Sequence, residues 1–490
     1  MQSKAPRDEG PKLGAKVRAL RRRENLSQAQ FAEKLGVSAS YVNLIENNRR
    51  PLPASMLIKM AQLFGVDLAA FSQEGDGRLV ADLMEAFSDP LFESHDMTSV
   101  DVREMATSSP ATGRAVLTLY RAYQEARESL ENLADRAILR EGGTLSVEPS
   151  GLPSEEVSDL IQAHLNYFPE LEQKAQELWR DARLTLKDID AGLVRYLEDV
   201  LGVEVRVSRW SHDRHMLRRF DPERKVLTLS ELLPTRSRRF QMAHQIGLLV
   251  AKDVMDSVIA DDSNLTIEDS RVLARVALAN YFAAAVIMPY DAFVEAAREE
   301  RYDIEVLGRR FRVGFEQTCQ RLTTLRKPGS EGVPFHMIRV DVAGNISKRF
   351  SASGIRLARF SGICPRWNIF AAFQTPGMIR IQYSRMPDGV PYFCIARTIH
   401  KDSAGYRATQ PIMAIGLGCE AHHARELVYS DGIDLENRAL ATPVGVTCRT
   451  CERDDCEQRA MPSIRQPLRI DENVRGVSLY AKPRLTVLPS

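Results

Sequence analysis

Between positions 13 and 72, apolar residues recur every three or four positions in short runs separated by turns, a pattern that predicts a cluster of short helices. Leu13, Val17 and Leu20 give the first helix one apolar face. Ser27 is placed to cap a second helix over 28–35, Gly36 permits a sharp turn, and Ser38 is placed to cap a third helix with Val42 and Ile45 inward. Helical spacing joined by polar breaks continues from 79 to 142, most clearly over 110–139. There Val116, Tyr120, Tyr123, Leu130, Ala134 and Ala137 share a stripe that reads either as a core face or as a dimer seam. The Gly-, Ser- and Pro-rich stretch 141–154 reads as a linker. Helices resume over 154–200, and β-branched runs at 203–208 and 226–229 predict short strands. Long helical patterns lie at 239–254 and 267–287, and after 335 strands dominate, at 335–342, 378–383, 392–398 and 411–416.

Composition narrows this picture. The 490 residues carry a net charge of +1, which excludes a uniformly basic coat for nucleic acid. The first fifty residues, however, hold eleven basic against five acidic side chains, a local excess of +6. The N-terminal stretch has no apolar run of the signal-peptide kind. The greasiest segment, 272–289, contains Arg275 and Asn280 and reads as a buried helix rather than a membrane span. A cytoplasmic protein is expected. Of seven cysteines, six follow residue 360, which argues for a local thiol site rather than a disulfide framework.

Two capped helices about a glycine turn make a helix-turn-helix, whose second helix enters the major groove. With Val42 and Ile45 inward, Ala39, Ser40, Asn43 and Leu44 face outward near its start, beside the cap Ser38. Serine and asparagine can hydrogen-bond base edges, whereas alanine and leucine meet thymine methyls. Gln28, Tyr41, Asn47 and Arg49 are placed to hold phosphates. The segment NLSQAQFAEKLGVSASYVNLIENNRRPLP resembles the XRE family of DNA-binding proteins, the lambda-repressor and Cro type, over about sixty residues.

In the middle of the chain, SRRFQMAHQIGLLV (237–250) and ALANYFAAAVIMP (277–289) resemble the two signatures of the ImmA/IrrE metallopeptidases. That family uses H-E-x-x-H because two histidines one helical turn apart bind zinc and the glutamate serves as general base. Here the five positions read His244, Gln245, Ile246, Gly247 and Leu248, and the third ligand position of the family falls on Val276. An amide cannot take the proton, and one imidazole does not hold a catalytic zinc. The expectation is a retained fold without hydrolysis, in which His244 is either a core histidine or part of a site for another ligand. Nearby, 211–225 packs seven Arg, Lys or His among fifteen residues. Arg214, Arg218 and Arg219 are either a solvated hairpin or a clamp for phosphate.

Near the C-terminus, VTCRTCERDDCEQR places Cys448, Cys451 and Cys456 within nine residues, a spacing with which one loop can wrap a soft metal. Cys419 is the first choice for a fourth ligand, with Cys364, His422 or His423 as alternatives. Thiolate ligation suits an iron–sulfur cluster or a structural zinc. Cys319 and Cys394 read as plain core thiols.

The stretches ICPRWNIFAAFQTPG, AIGLGCE and GVTCRTCERDDCEQRAMP resemble the C-terminal domain of the short-chain fatty acyl transcriptional regulators. Those regulators join an XRE head, an ImmA/IrrE-like middle and this cysteine-bearing domain, so the resemblance spans nearly the whole chain. It implies control of propionate-, acetate- or glyoxylate-linked metabolism, an acyl-CoA effector and an iron–sulfur cluster. The expected fold class is multidomain and mainly α with an α+β sensor part. Its parts are a helix-turn-helix bundle (1–75), a helical linker (76–145), a degenerate zincin-like α+β domain (150–328) and a mixed α/β domain (330–480). The leading reading is a DNA-binding regulator acting as a homodimer on a palindromic operator, with no membrane partner. A zinc metallopeptidase that cleaves a repressor, and an antitoxin-type DNA-binding module, are the alternatives.

Overall fold

The structure is a computed structural model that describes residues 14–24, 26–47, 49–50, 52–64, 74–92, 97–139, 153–208, 216–358, 362–400, 410–448, 451–462, 477–478 and 480. The described residues divide into two compact units, one built mainly on residues 1–149 and the other on 150–357 with 362–460.

The first unit opens with four short helices, α1 (Gly14–Arg23), α2 (Gln28–Leu35), α3 (Ala39–Glu46) and α4 (Ala54–Phe64). Ser27 caps α2 in a reciprocal capping box with Gln30, and Ser38 caps α3. Gly36 ends α2 at φ 68°, a left-handed conformation that glycine adopts without steric cost. Val17, Leu20, Phe31, Leu35, Val42, Ile45 and Met60 close one core, in which Phe31 stacks on Phe64 at 5.2 Å. Leu13 lies outside the described residues.

Three more helices follow, α5 (Glu74–Ala86), α6 (Ser99–Ser108) and α7 (Pro110–Leu139), around a core of their own made by Leu79, Leu83, Val102, Leu117 and Tyr120. Val116 and Tyr123 pack against that core as well. The first half of the α7 stripe is therefore used within the chain. The side chains of Leu130, Ala134 and Ala137 lie outside the described residues.

The second unit begins with α8 (Pro153–Ala163), α9 (Pro169–Asp181) and α10 (Ile189–Arg195), which runs into a π turn at Tyr196–Val200. A three-stranded sheet follows, β1 (Glu204–Ser208), β2 (Arg218–Asp221) and β3 (Val226–Ser230). β3 lies in the middle, parallel to β1 and antiparallel to β2. Next come α11 (Thr235–Val250), α12 (Lys252–Asp261), α13 (Glu268–Ile287), α14 (Tyr290–Glu299), α15 (Ile304–Phe311) and α16 (Phe315–Leu322). The pattern expected to run unbroken over 239–254 is split at Ala251, which caps both α11 and α12.

A six-stranded sheet completes the unit, with β4 (His336–Asp341), β5 (Ile346–Ser351), α17 (Asn368–Ala371), β6 (Arg380–Arg385), β7 (Pro391–His400), β8 (Ile412–Glu420) and β9 (Thr442–Pro443). Its order is β5-β4-β8-β7-β6-β9. β2 and β5 were not foreseen as strands. Both are edge strands rich in charged residues, so neither shows the apolar alternation of a half-buried strand.

One core runs through both parts of this unit, from Leu171 and Leu193 through Phe282 and Phe293 to Phe393, Ile415 and Leu417. Gln162 on α8 exchanges two hydrogen bonds with the Ser351 backbone of β5, at 2.7 and 3.1 Å. At its centre, the fully buried guanidinium of Arg321 binds both oxygens of Glu172 (2.5 and 2.9 Å) and the Met288 carbonyl. α13 is the one helix among the described residues long and apolar enough to cross a membrane, and more than half of its apolar window is buried in this core.

Candidate functional site

In the head, the outward face of α3 consists of Ala39, Ser40, Asn43 and Leu44, all exposed, with Ser38 and Asn47 exposed at its ends. A chain of hydrogen bonds holds this face in place. The buried Glu46 carboxylate accepts from Arg21 (2.6 and 3.1 Å) and from Gln28 Nε2 (2.8 Å). Burial alone would raise the Glu46 pKa, and the bonds from Arg21 and Gln28 hold it below its ordinary value. Gln28 Oε1 then accepts from Asn43 Nδ2 at 3.5 Å, and Asn43 Oδ1 accepts from Asn47 Nδ2 at 2.7 Å. Asn47 Oδ1 in turn accepts from Arg18 at 2.7 Å. Gln28 is thus half-buried between the two helices. Tyr41 lies under Arg50, whose guanidinium sits 4.9 Å from the ring centre, and Arg49 is exposed. Glu46 and Arg21 were not singled out from the sequence; the only signal was an acid at an otherwise inward position of α3.

In the middle part, α11 carries His244 and Gln245, both buried. The position of the family's third metal ligand, Val276, lies on α13, whose side chain is 37% exposed and offers no donor. What faces His244 is the guanidinium of Arg218, brought over by β2, with Nη1 2.5 Å from His244 Nδ1. Arginine only donates, so Nδ1 accepts and the proton of the neutral ring sits on Nε2. Burial, and secondarily the Arg218 charge, pushes the His244 pKa down to about 4, so the ring is neutral. Burial also lowers the Arg218 pKa. Among the described residues, no carboxylate reaches Arg218. β2 pairs with β3 across the turn at 222–225, and Arg218 is half-buried rather than solvated. Arg219 points the other way along β2 and is more exposed, and Arg214 lies outside the described residues.

The thiol loop is anchored to the segment before α17. The Cys364 backbone donates to the Val446 carbonyl, and the Trp367 indole donates to the Gly445 carbonyl, each at 2.9 Å. Burial raises the Cys364 pKa, with Cys448 and Cys451 among its charged neighbours; Cys456 is a neighbour of Cys451. The buried Arg459 collects the carbonyls of Cys448 (2.6 Å), Cys451 (3.0 Å) and Arg453. Gly445 leaves room for Cys451 Sγ, which would lie 2.8 Å from a β-carbon there. Cys419 stands elsewhere, on β8, with Cys394, Glu426 and Glu420 as its charged neighbours. His422 and His423 sit on an exposed turn beside Glu420 and Glu426. Among the described residues, no three His, Cys, Asp or Glu side chains converge closely enough to hold a metal ion. The loop thiols and Cys364 are neighbours without forming a closed ligand set.

Three family profiles match separate parts of the chain. Residues 17–71 match a helix-turn-helix family, 198–323 the IrrE N-terminal-like domain, and 324–480 the C-terminal domain of the short-chain fatty acyl coenzyme A regulators. The chain is 37% identical over 474 residues to the HTH-type transcriptional regulator PrpR of Mycobacterium tuberculosis, covering 97% of this chain and 96% of that protein. The chain belongs to the short-chain fatty acyl coenzyme A regulators. The regulator is also 39% identical over 467 residues to the propionyl-CoA carboxylase regulator of Cereibacter sphaeroides, covering 95% of this chain and 98% of that one. It is 38% identical to the HTH-type transcriptional regulator RamB of Mycobacterium tuberculosis, covering 96% and 99%. A solved structure of a Mycobacterium tuberculosis transcriptional regulator superposes with a TM-score of 0.65 at 39% identity, covering 68% of this chain and all of that one. The regulator is thus a DNA-binding transcriptional regulator of short-chain acyl metabolism, not an enzyme. Its peptidase-like domain carries Gln245, Leu248 and Val276 where the chemistry of hydrolysis would stand.

Proposed function

We propose that the regulator binds a double-stranded operator as a homodimer through α3, and that a coenzyme A thioester bound beside His244 changes that affinity. A dimer follows from the reach of one recognition helix, which reads a half-site. The observation that carries the effector reading is the Arg218–His244 pair. A half-buried guanidinium paired with a neutral imidazole keeps its full charge and spare N–H groups, which suits a phosphate or carboxylate oxygen. Arg218 is the arm of the clamp at this pair; Arg219 points the other way along β2 and is no part of it. The Cereibacter relative is named as a regulator of propionyl-CoA carboxylase, which makes the propionate-linked candidates the first to test.

The effector must bind two arrangements of the dimer unequally in order to shift them. In a gel shift with coenzyme A and a series of short acyl-CoAs, operator affinity changes in the wild type and stays fixed in Arg218→Ala. Unchanged affinity across the series, with operator binding intact, overturns the reading. The regulator works in the cytoplasm, where its operator is.

The thiol loop is proposed as a soft-metal site, with Cys448, Cys451 and Cys456 and, as fourth thiol, Cys364 in preference to Cys419. The preference rests on the backbone bond that ties Cys364 to Val446. Ligation requires the loop to draw its sulfurs together. Protein purified without oxygen is expected to be brown with iron and sulfide; a colourless preparation with one zinc replaces the iron–sulfur reading with a structural zinc.

A further inference from the structure

β8 lies between β4 and β7, and its Gly418 pairs with His336 on one side and Cys394 on the other. All three side-chain positions therefore point to one face of the sheet, in line across three strands. Because Gly418 has no side chain, the two flanking residues meet over it: Cys394 Sγ lies 3.6 Å from His336 Nε2. A β-carbon at 418 would come within 2.6 Å of the imidazole and 2.8 Å of the sulfur, so any other residue there would push the pair apart. On its far side, His336 Nδ1 is 2.7 Å from Ser353 Oγ. With Nδ1–H donating to Ser353, the Nε2 lone pair is directed at the thiol. Tyr392 packs edge-on against the imidazole, with ring centres 5.8 Å apart.

This is the arrangement of a nucleophile, a base and a group that orients the base. His336 is 3% exposed, and Cys394 is partly exposed as a residue, unlike Cys319 and Cys419, although its thiol is enclosed by the fold. We propose that Cys394 is an acyl-acceptor thiol that exchanges with short-chain acyl thioesters, with His336 as its proton carrier and Ser353 as the positioning residue. The identity of the donor as a coenzyme A thioester rests on the effector reading above.

The step balances without any further reactant. The thiol proton passes to His336 Nε2 as Cys394 Sγ attacks the carbonyl carbon. The carbon–sulfur bond to coenzyme A then breaks, and the departing sulfur takes the proton back from Nε2. One thioester is lost, one is formed, and nothing is oxidised. Because the two thioesters are nearly equal in energy, the acylated fraction follows the ratio of acyl-CoA to free coenzyme A rather than either concentration alone. Burial holds the resting pair neutral, with the thiol pushed up to about 12 and the imidazole down to about 3. The proton therefore moves in concert with attack rather than beforehand.

The test uses the full chain with two donors, propionyl-CoA and the truncated thioester S-propionyl-N-acetylcysteamine, which lacks the nucleotide. Peptide masses are read after acid quench without reductant. The expected result is one propionyl group on Cys394, removed by hydroxylamine or excess coenzyme A and absent in Cys394→Ser. The labelling rate is expected to fall about a hundredfold in His336→Gln, the usual contribution of a positioned base. Ser353→Ala, the gentler variant, is expected to slow labelling while keeping the melting temperature. Propionyl-CoA that raises the melting temperature without labelling Cys394 overturns the proposal and leaves the effector reading standing. Labelling by the truncated donor alone supports the dyad and sinks the effector reading. Equal labelling of Cys394 and the loop cysteines, or an unchanged rate in a folded His336→Gln, overturns the proposal.

Discussion

Arg218 Nη1 sits 2.5 Å from His244 Nδ1, so in the neutral ring the proton sits on the other nitrogen. Both nitrogens of the one surviving histidine of the metallopeptidase signature are thus engaged, and the cation beside it belongs to the protein. Zinc has no lone pair to bind there. Full-length protein with Cys364, Cys448, Cys451 and Cys456 replaced by serine is expected to retain no stoichiometric zinc after dialysis. Stoichiometric zinc that disappears in His244→Ala would show that the site still holds metal.

The same burial makes stability depend on pH. His244 falls from 6.5 to about 4 in the folded state, through burial first and the Arg218 charge second, and burial takes His336 to about 3. Both folded-state values are depressed, so the unfolded chain binds protons that the folded chain refuses. The contribution of each histidine is complete above pH 6.5 and is lost as pH falls toward the folded value. Between pH 7 and pH 5 each is expected to remove about 2 kcal/mol, at roughly 1.4 kcal/mol per pH unit below 6.5. Urea denaturation at the two pH values checks this, and His244→Gln is expected to lose about half of the difference.

Legibility in the sequence followed physical cause. The head was readable almost to the residue, because caps at Ser27 and Ser38 and the turn at Gly36 are local devices. The absence of hydrolytic chemistry was readable for the same reason, since Gln245 and Leu248 stand within one helical turn of His244. The Arg218–His244 contact was not readable. It joins residues 26 positions apart through a strand whose charges hide its alternation. The Cys394–His336 pair was further out of reach. Fifty-eight positions separate them, and the contact depends on a glycine in a third strand. Cys394 read as a plain core thiol because nothing in its own neighbourhood of sequence says what lies two strands away.

Glu46 ties α3 to α1 through Arg21 and to α2 through Gln28, and its side chain has no solvent exposure in its pair with Arg21. Removing the carboxylate leaves Arg21 and Gln28 facing an empty, buried position. Glu46→Ala is expected to destabilise the head by about 3 kcal/mol, the lower end of the range of about 3–5 kcal/mol for breaking a buried pair, since Arg21 keeps some exposure. It also frees Gln28 and, through it, Asn43. Operator affinity should therefore fall more than the loss of folded protein explains. Thermal melts and gel shifts on the same samples separate the two effects, and affinity that tracks folded fraction alone would count against the hydrogen-bonded relay.

Asn43 and Arg49 are both exposed in the head, yet they are expected to fail in different ways. Asn43 has its carboxamide oriented by Asn47 and Gln28, so its amide is presented rather than free to rotate. A carboxamide in the major groove pairs bidentately with adenine, accepting from N6 and donating to N7. Asn43→Ala is expected to relax the preference at one base pair of each half-site by about 1–3 kcal/mol while leaving nonspecific binding unchanged. Arg49 lies past the end of α3, where a guanidinium reaches phosphate rather than base edges. Arg49→Ala is expected to weaken binding to all sequences alike and to lower the slope of log affinity against log salt by about one per half-site. Competition against a library of single-base operator variants, repeated across salt concentrations, reads both effects. A sequence-dependent loss in Arg49→Ala, or a uniform loss in Asn43→Ala, would exchange the two roles and rotate α3 in the groove.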